Sequence, residues 1–145
     1  MNQFYTFEDI ITTLISINKS MRRVGMREPA FRQQLSWYAW AEEYCTVHID
    51  VGRQMGKTSY IIKHADTRDL VITATFNMKQ YIQSATLNPT VLCVSEIMRR
   101  AVQSLPLFEI IYIDEPAYVF GLVKQRDLYQ KLVKEQDQTF VLLGK

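Results

Sequence analysis

Two cysteines, five glycines and four prolines are few for 145 residues, and each shortage excludes something. Glycine and proline at this level exclude a collagen-like or low-complexity chain. Cys45 and Cys93 stand far apart, with no CxxC pair and no Cys/His spacing suited to zinc. They read as two buried thiols of a reducing cytoplasm, with a disulfide between them as the alternative. Neither sign of charge dominates, since 17 Lys and Arg face 15 Asp and Glu, for a formal charge of +2. A polybasic nucleic-acid coat and an acidic mimic are both excluded, and any contact with DNA or RNA needs a local patch. No apolar run approaches the roughly 18 to 20 residues of a membrane span. Met1–Tyr5 lacks the basic stretch and apolar segment of a secretory signal. The expectation is a cytoplasmic protein with no membrane partner.

What the chain does contain is enough apolar material, 48% of residues, for one well-filled core. Phe7, Ile10, Ile11, Leu14, Ile15 and Ile17 recur at helical spacing behind Thr6, a suitable N-cap. A second helix is predicted from near Pro29 through Trp37, Tyr38, Trp40 and Tyr44. After Cys45 the pattern changes to short apolar runs of strand length at 46–51, 70–75, 90–94, 110–114 and 139–143. Helical stretches at 57–64, 77–84, 96–104 and 124–135 separate them. Strict alternation of this kind predicts an α/β fold, a three-layer sandwich around a mostly parallel five-stranded sheet. Residues 1–45 read as an N-terminal helical layer packed on a core of residues 46–145.

Val51-Gly52-Arg53-Gln54-Met55-Gly56-Lys57-Thr58-Ser59 follows one strand and opens a helix. That is the setting of a phosphate-binding loop, in which backbone N–H groups and a helix N-terminus form a positive concavity. In this reading Gly52 to Ser59 line the nucleotide, Lys57 reaches its terminal phosphates and Thr58 ligates magnesium. Valine stands at position 51, where the usual GxxxxGK[ST] pattern has its first glycine. Ile110-Ile111-Tyr112-Ile113-Asp114-Glu115-Pro116 is an apolar strand ending in two carboxylates, the first of them 57 residues beyond Lys57. Asp114 is placed to hold the magnesium and Glu115 to activate water as a general base. Taken alone, an acidic pair after a strand reads first as a helix N-cap or a solvated turn. The two motifs in this order point to a P-loop nucleoside triphosphate site with ATP and Mg2+ as its expected ligands.

Gly52-Arg53-Gln54-Met55-Gly56-Lys57-Thr58 resembles the phosphate loop of phage large terminases, the ATPases that drive DNA into capsids. Those loops commonly read Arg-Gln-x-Gly-Lys-Thr/Ser and share the missing first glycine. Tyr112-Ile113-Asp114-Glu115-Pro116-Ala117-Tyr118 is similar to their Walker B strand and the segment after it. Thr73 to Gln80 lies where terminases and superfamily 2 helicases carry a strand-end motif that touches nucleic acid or couples domains. The resemblance covers about residues 46–145 and implies the ATPase core of a terminase without its nuclease. It implies that Arg53 acts in cis on the terminal phosphate, as an arginine finger does, and that Glu115 is the catalytic glutamate. Gln33 or Gln34 lies about where such proteins read adenine, although Phe31 to Gln34 also fits the polar face of a helix. The family places the last strand between the Walker A and Walker B strands and ends it in a Thr- or Ser-containing coupling motif. Here that strand runs into Gly144-Lys145.

The first strand is thereby expected at an open sheet edge, to be covered by the N-terminal helices, a protein partner or self-association. DNA, single- or double-stranded, is a further expected partner by resemblance only, as is a phage origin. Lys19, Arg22, Arg23, Arg27 and Arg32 read either as phosphate contacts or as the wet face of two helices. Trp37, Tyr38 and Trp40 read as core ahead of base-stacking residues. His48 and His64 have no partner at metal-ligand spacing, and His48 reads as a tolerated strand residue. The expected activity is magnesium-dependent ATP hydrolysis, with a nucleotide-dependent switch of little turnover as the alternative.

Overall fold

The structure, a computed structural model, describes residues 6–25, 36–50, 56–100, 104–135 and 137–145. Seven helices and five strands occur among them. In chain order these are α1 Phe7–Gly25, α2 Trp37–Tyr44, β1 Thr46–Ile49, α3 Lys57–His64, β2 Leu70–Thr73 and α4 Phe76–Ala85. They continue as β3 Thr90–Cys93, α5 Val94–Arg99, β4 Ile110–Asp114, α6 Pro116–Leu122, α7 Gln125–Leu132 and β5 Thr139–Leu143.

Local chemistry sets the boundaries. Thr6 and Asp9 cap α1 reciprocally, each backbone N–H donating to the other's side chain at 3.2 and 3.1 Å. Ser36 accepts from the Ala39 N–H and starts α2. The part of the expected second helix between Pro29 and Leu35 lies outside the described residues. Thr75 leaves the strand reading because its hydroxyl accepts from the Met78 N–H, making it the N-cap of α4. Helix α6 was not anticipated; Pro116 opens it at a position where a missing N–H is harmless.

The five strands form one sheet in the order β1-β5-β4-β2-β3, every pair parallel. The last strand therefore lies between the first and the fourth. Register aligns Val47, Val141, Tyr112, Val71 and Val91 in one row across the sheet. That row packs against Ile11 and Ile15 of α1, Tyr60 and Ile61 of α3, and Ile82 of α4. Leu142, Ile113, Ile72 and Leu92 form the adjacent row on the opposite face. They pack with Trp40 and Ala41 of α2, Ile97 of α5, Val119 of α6 and Leu128, Tyr129 and Leu132 of α7. Helices on both faces make three layers, which is why these strands are buried throughout and largely apolar.

The two N-terminal helices thus divide between the faces, α1 on one and α2 on the other, where a single layer was expected. Arg22 departs from both readings of the basic cluster. It is only 5% exposed, and its guanidinium donates to the Gln138 carbonyl at 3.2 Å and to the Thr139 hydroxyl at 2.7 Å. Lys19 reaches Glu109 at 3.8 Å. Arg27 and Arg32 lie outside the described residues. Trp40 is core, whereas Trp37 is half exposed. Cys45 and Cys93 are both buried and free, and burial raises the Cys45 thiol above its ordinary pKa. No helix among the described residues is long and apolar enough to cross a membrane.

Candidate active site

The carboxyl ends of β1, β4 and β5 converge on one small region. Gly56 caps α3 with φ +82°, a left-handed conformation that favours glycine; an added Cβ would meet nothing within 4 Å, so conformation and not space demands it. Immediately after it, Lys57 and Thr58 occupy the first turn of α3. Lys57 is charged yet its side chain is only 9% exposed, and its Nζ donates to Glu115 Oε1 at 3.0 Å. The Thr58 hydroxyl donates to Asp114 Oδ2 at 3.4 Å. Two residues after β1 and two at the end of β4, expected together from motif order alone, therefore face each other in matched pairs.

Asp114 is nearly buried, and burial first, then repulsion from Glu115, pushes its carboxyl up to about 6. Such a carboxylate is one that an added cation would relieve. Glu115 is the one non-glycine residue with positive φ among the described residues, at φ 54° and ψ 68°. Strain of this kind typically amounts to about 1–3 kcal/mol and persists only where the surroundings hold it. Here its backbone N–H donates to the Leu143 carbonyl at 3.0 Å. Its carboxylate lies against Gly144, where a Cβ would come within 2.8 Å of Oε2.

Ser59 is exposed on the next position of α3. Gly52, Arg53, Gln54 and Met55 lie outside the described residues, as does Gln33. The strand-end segment from Thr73 sits at the same end of the sheet, where Thr73 Oγ1 donates to the Thr75 carbonyl and Lys79 pairs with Glu96 at 2.7 Å. Two participants were not singled out from the sequence, Gly144 and His48. His48 Nε2 donates to the Gly144 carbonyl at 2.8 Å, and the Gly144 N–H donates to the Ile49 carbonyl at 2.9 Å. The one available signal was Gly144 itself, standing where the terminase resemblance calls for Thr or Ser.

The donor set suits magnesium. Thr58 and Asp114 offer hard oxygens, and this ion usually takes one or two protein oxygens beside substrate phosphates and water. Among the described residues no group of three or more His, Cys, Asp or Glu could hold a metal ion. Fold and site together define an α/β protein with an all-parallel sheet that carries a hydroxyl–carboxylate pair and a lysine–carboxylate pair at its carboxyl edge, the usual ligand end of such sheets. No protein-family model matches this chain, and no curated protein sequence matches it.

Proposed function

We propose that this protein binds ATP with magnesium on the loop around Gly56-Lys57-Thr58 and hydrolyses the terminal phosphate with Glu115. The observation that carries this reading is the meeting of Lys57 with Glu115 and of Thr58 with Asp114 across two strand ends. Lys57 exchanges Glu115 for phosphate oxygens when nucleotide arrives. The exchange leaves the buried ammonium paired in both states and frees the Glu115 carboxylate. Thr58 and Asp114 would hold the magnesium, which when bound would neutralise charge on the transferring phosphoryl group. Glu115 accepts a proton from the water that attacks the γ-phosphorus, and the bond to the ADP oxygen breaks. Arg53 acts on the terminal phosphate and Gln33 contributes to the base site in the terminase-like form of this proposal. The coupled process is work on DNA or on a protein partner that covers the β1 edge.

A second reading is a nucleotide-dependent switch with little turnover, and the Lys57–Glu115 ion pair favours it because the glutamate is already engaged. Steady-state phosphate release from ATP and magnesium decides between them, measured on wild type beside Lys57→Ala. Turnover that disappears in the variant supports the hydrolase. Nucleotide binding without turnover, with and without DNA, selects the switch, and absence of binding overturns both.

A further inference from the structure

The Glu115 carboxylate has two neighbours of different kinds, Lys57 in front and the bare Cα of Gly144 behind. Gly144 has φ +118°, and a side chain there would collide with the carboxyl group, whose Oε2, Cδ and Oε1 lie 2.8, 3.0 and 3.1 Å from its Cβ position. This glycine is held on both sides by β1, through its N–H to the Ile49 carbonyl and through its carbonyl to His48 Nε2. The imidazole bond is the one side-chain contact among these, and His48 is otherwise an exposed residue on an edge strand. An exposed edge strand has no packing need for an imidazole, and threonine or lysine serves such positions as well.

We propose that His48 and Gly144 are positioning residues for Glu115, linking its placement to the strand that leads into the phosphate loop. The inference rests on the hydrolase reading and deepens it. Strand β1 carries His48 and ends at Ile49, seven residues before Gly56 in the chain. The position of β1 therefore sets that of Gly144, and Gly144 sets that of the carboxylate resting on it. This route is separate from Lys57, which acts on the other side of the same group.

The test is ATP turnover with magnesium, read as kcat and KM, for wild type, His48→Ala, His48→Gln and Gly144→Ala, with binding of a fluorescent ATP analogue and thermal unfolding measured alongside. His48→Ala lowers kcat about tenfold with KM little changed, because a small misplacement of a catalytic group acts on the transition state. His48→Gln, whose amide N–H also donates to a carbonyl, restores most of kcat. Gly144→Ala lowers kcat by about a hundredfold while the analogue still binds. Should Gly144→Ala fail to fold, the His48 pair carries the test alone. Absence of turnover in wild type overturns the hydrolase reading and this inference with it. Wild-type turnover with an unaffected His48→Ala, or with no rescue by His48→Gln, overturns the inference and leaves the hydrolase standing. Loss of analogue binding in step with kcat also overturns it.

Discussion

Two buried carboxyls sit at opposite ends of the same sheet, each pushed up to about 6 with burial as the main cause, yet they are answered differently. Asp69, at the entry to β2, accepts the Asp66 N–H at 2.9 Å and the Ile110 N–H at 3.2 Å. Its backbone carbonyl accepts the Thr90 N–H, so one residue ties β2, β3 and β4 together. Near that end the two terminal nitrogens of Arg22 and the Gln138 amide likewise bond backbone groups or a neighbouring hydroxyl. At the exit of β4, Asp114 accepts from a hydroxyl at 3.4 Å and has a second carboxylate beside it in strained backbone. Burial and a raised pKa are common to both ends and therefore distinguish nothing. What differs is whether the partners are mainly backbone groups fixed by the fold or side chains facing one another across strand ends, which can exchange partners without unmaking a strand.

That contrast can be broken at either end. The largest expected effect is at the exit, where Glu115→Gln lowers ATP turnover by about a hundredfold or more while nucleotide binding persists, measured by phosphate release and analogue binding. Equal loss of binding and turnover would remove the glutamate from the chemistry. At the entry end, Arg22→Ala strips donors from the Gln138 carbonyl and the Thr139 hydroxyl. It should destabilise the fold by about 4 kcal/mol in urea titration, with nucleotide affinity of the folded protein unchanged.

Asp69 supplies a pH signature of similar but smaller size. Its folded pKa is raised above the ordinary aspartate value of 3.8. The stability it contributes is therefore fully present below about pH 4 and is lost as pH rises through about 6, by about 3 kcal/mol in all. Asp69→Asn should flatten that part of the stability profile, read by denaturation between pH 4 and 7.5. An unchanged slope would mean that the carboxyl titrates normally. The smallest effect is expected at Tyr129, whose hydroxyl meets Thr46 Oγ1 at 2.9 Å while its ring stacks on Phe140 at 3.8 Å. Tyr129→Phe keeps the stack and should lower stability by about 1 kcal/mol, leaving turnover intact.

The run of apolar residues in each made the five strands legible to within two residues, because a strand buried on both faces must be largely apolar. The ends were less legible where a hydroxyl chose between strand and cap, as Thr75 does. Helix α6 was hidden because Pro116 after two carboxylates reads equally as a turn. The paired carboxylates and the Lys-Thr dipeptide stood out only in combination, since an acidic pair alone reads as a cap or a turn. Gly144 and His48 were not, since an isolated glycine or histidine carries no partner in the linear text.

Composition, spacing and periodicity thus determined by themselves the α/β class and the number of strands, and they singled out Lys57, Thr58, Asp114 and Glu115, which the fold brings into hydrogen-bonded pairs. Tertiary structure alone decided the strand order, the division of the N-terminal helices between two faces and the burial of Arg22. It alone decided, too, that Gly144 and His48 stand behind Glu115. Those depend on contacts between segments as many as 117 residues apart, and such contacts leave no trace in any short window of sequence.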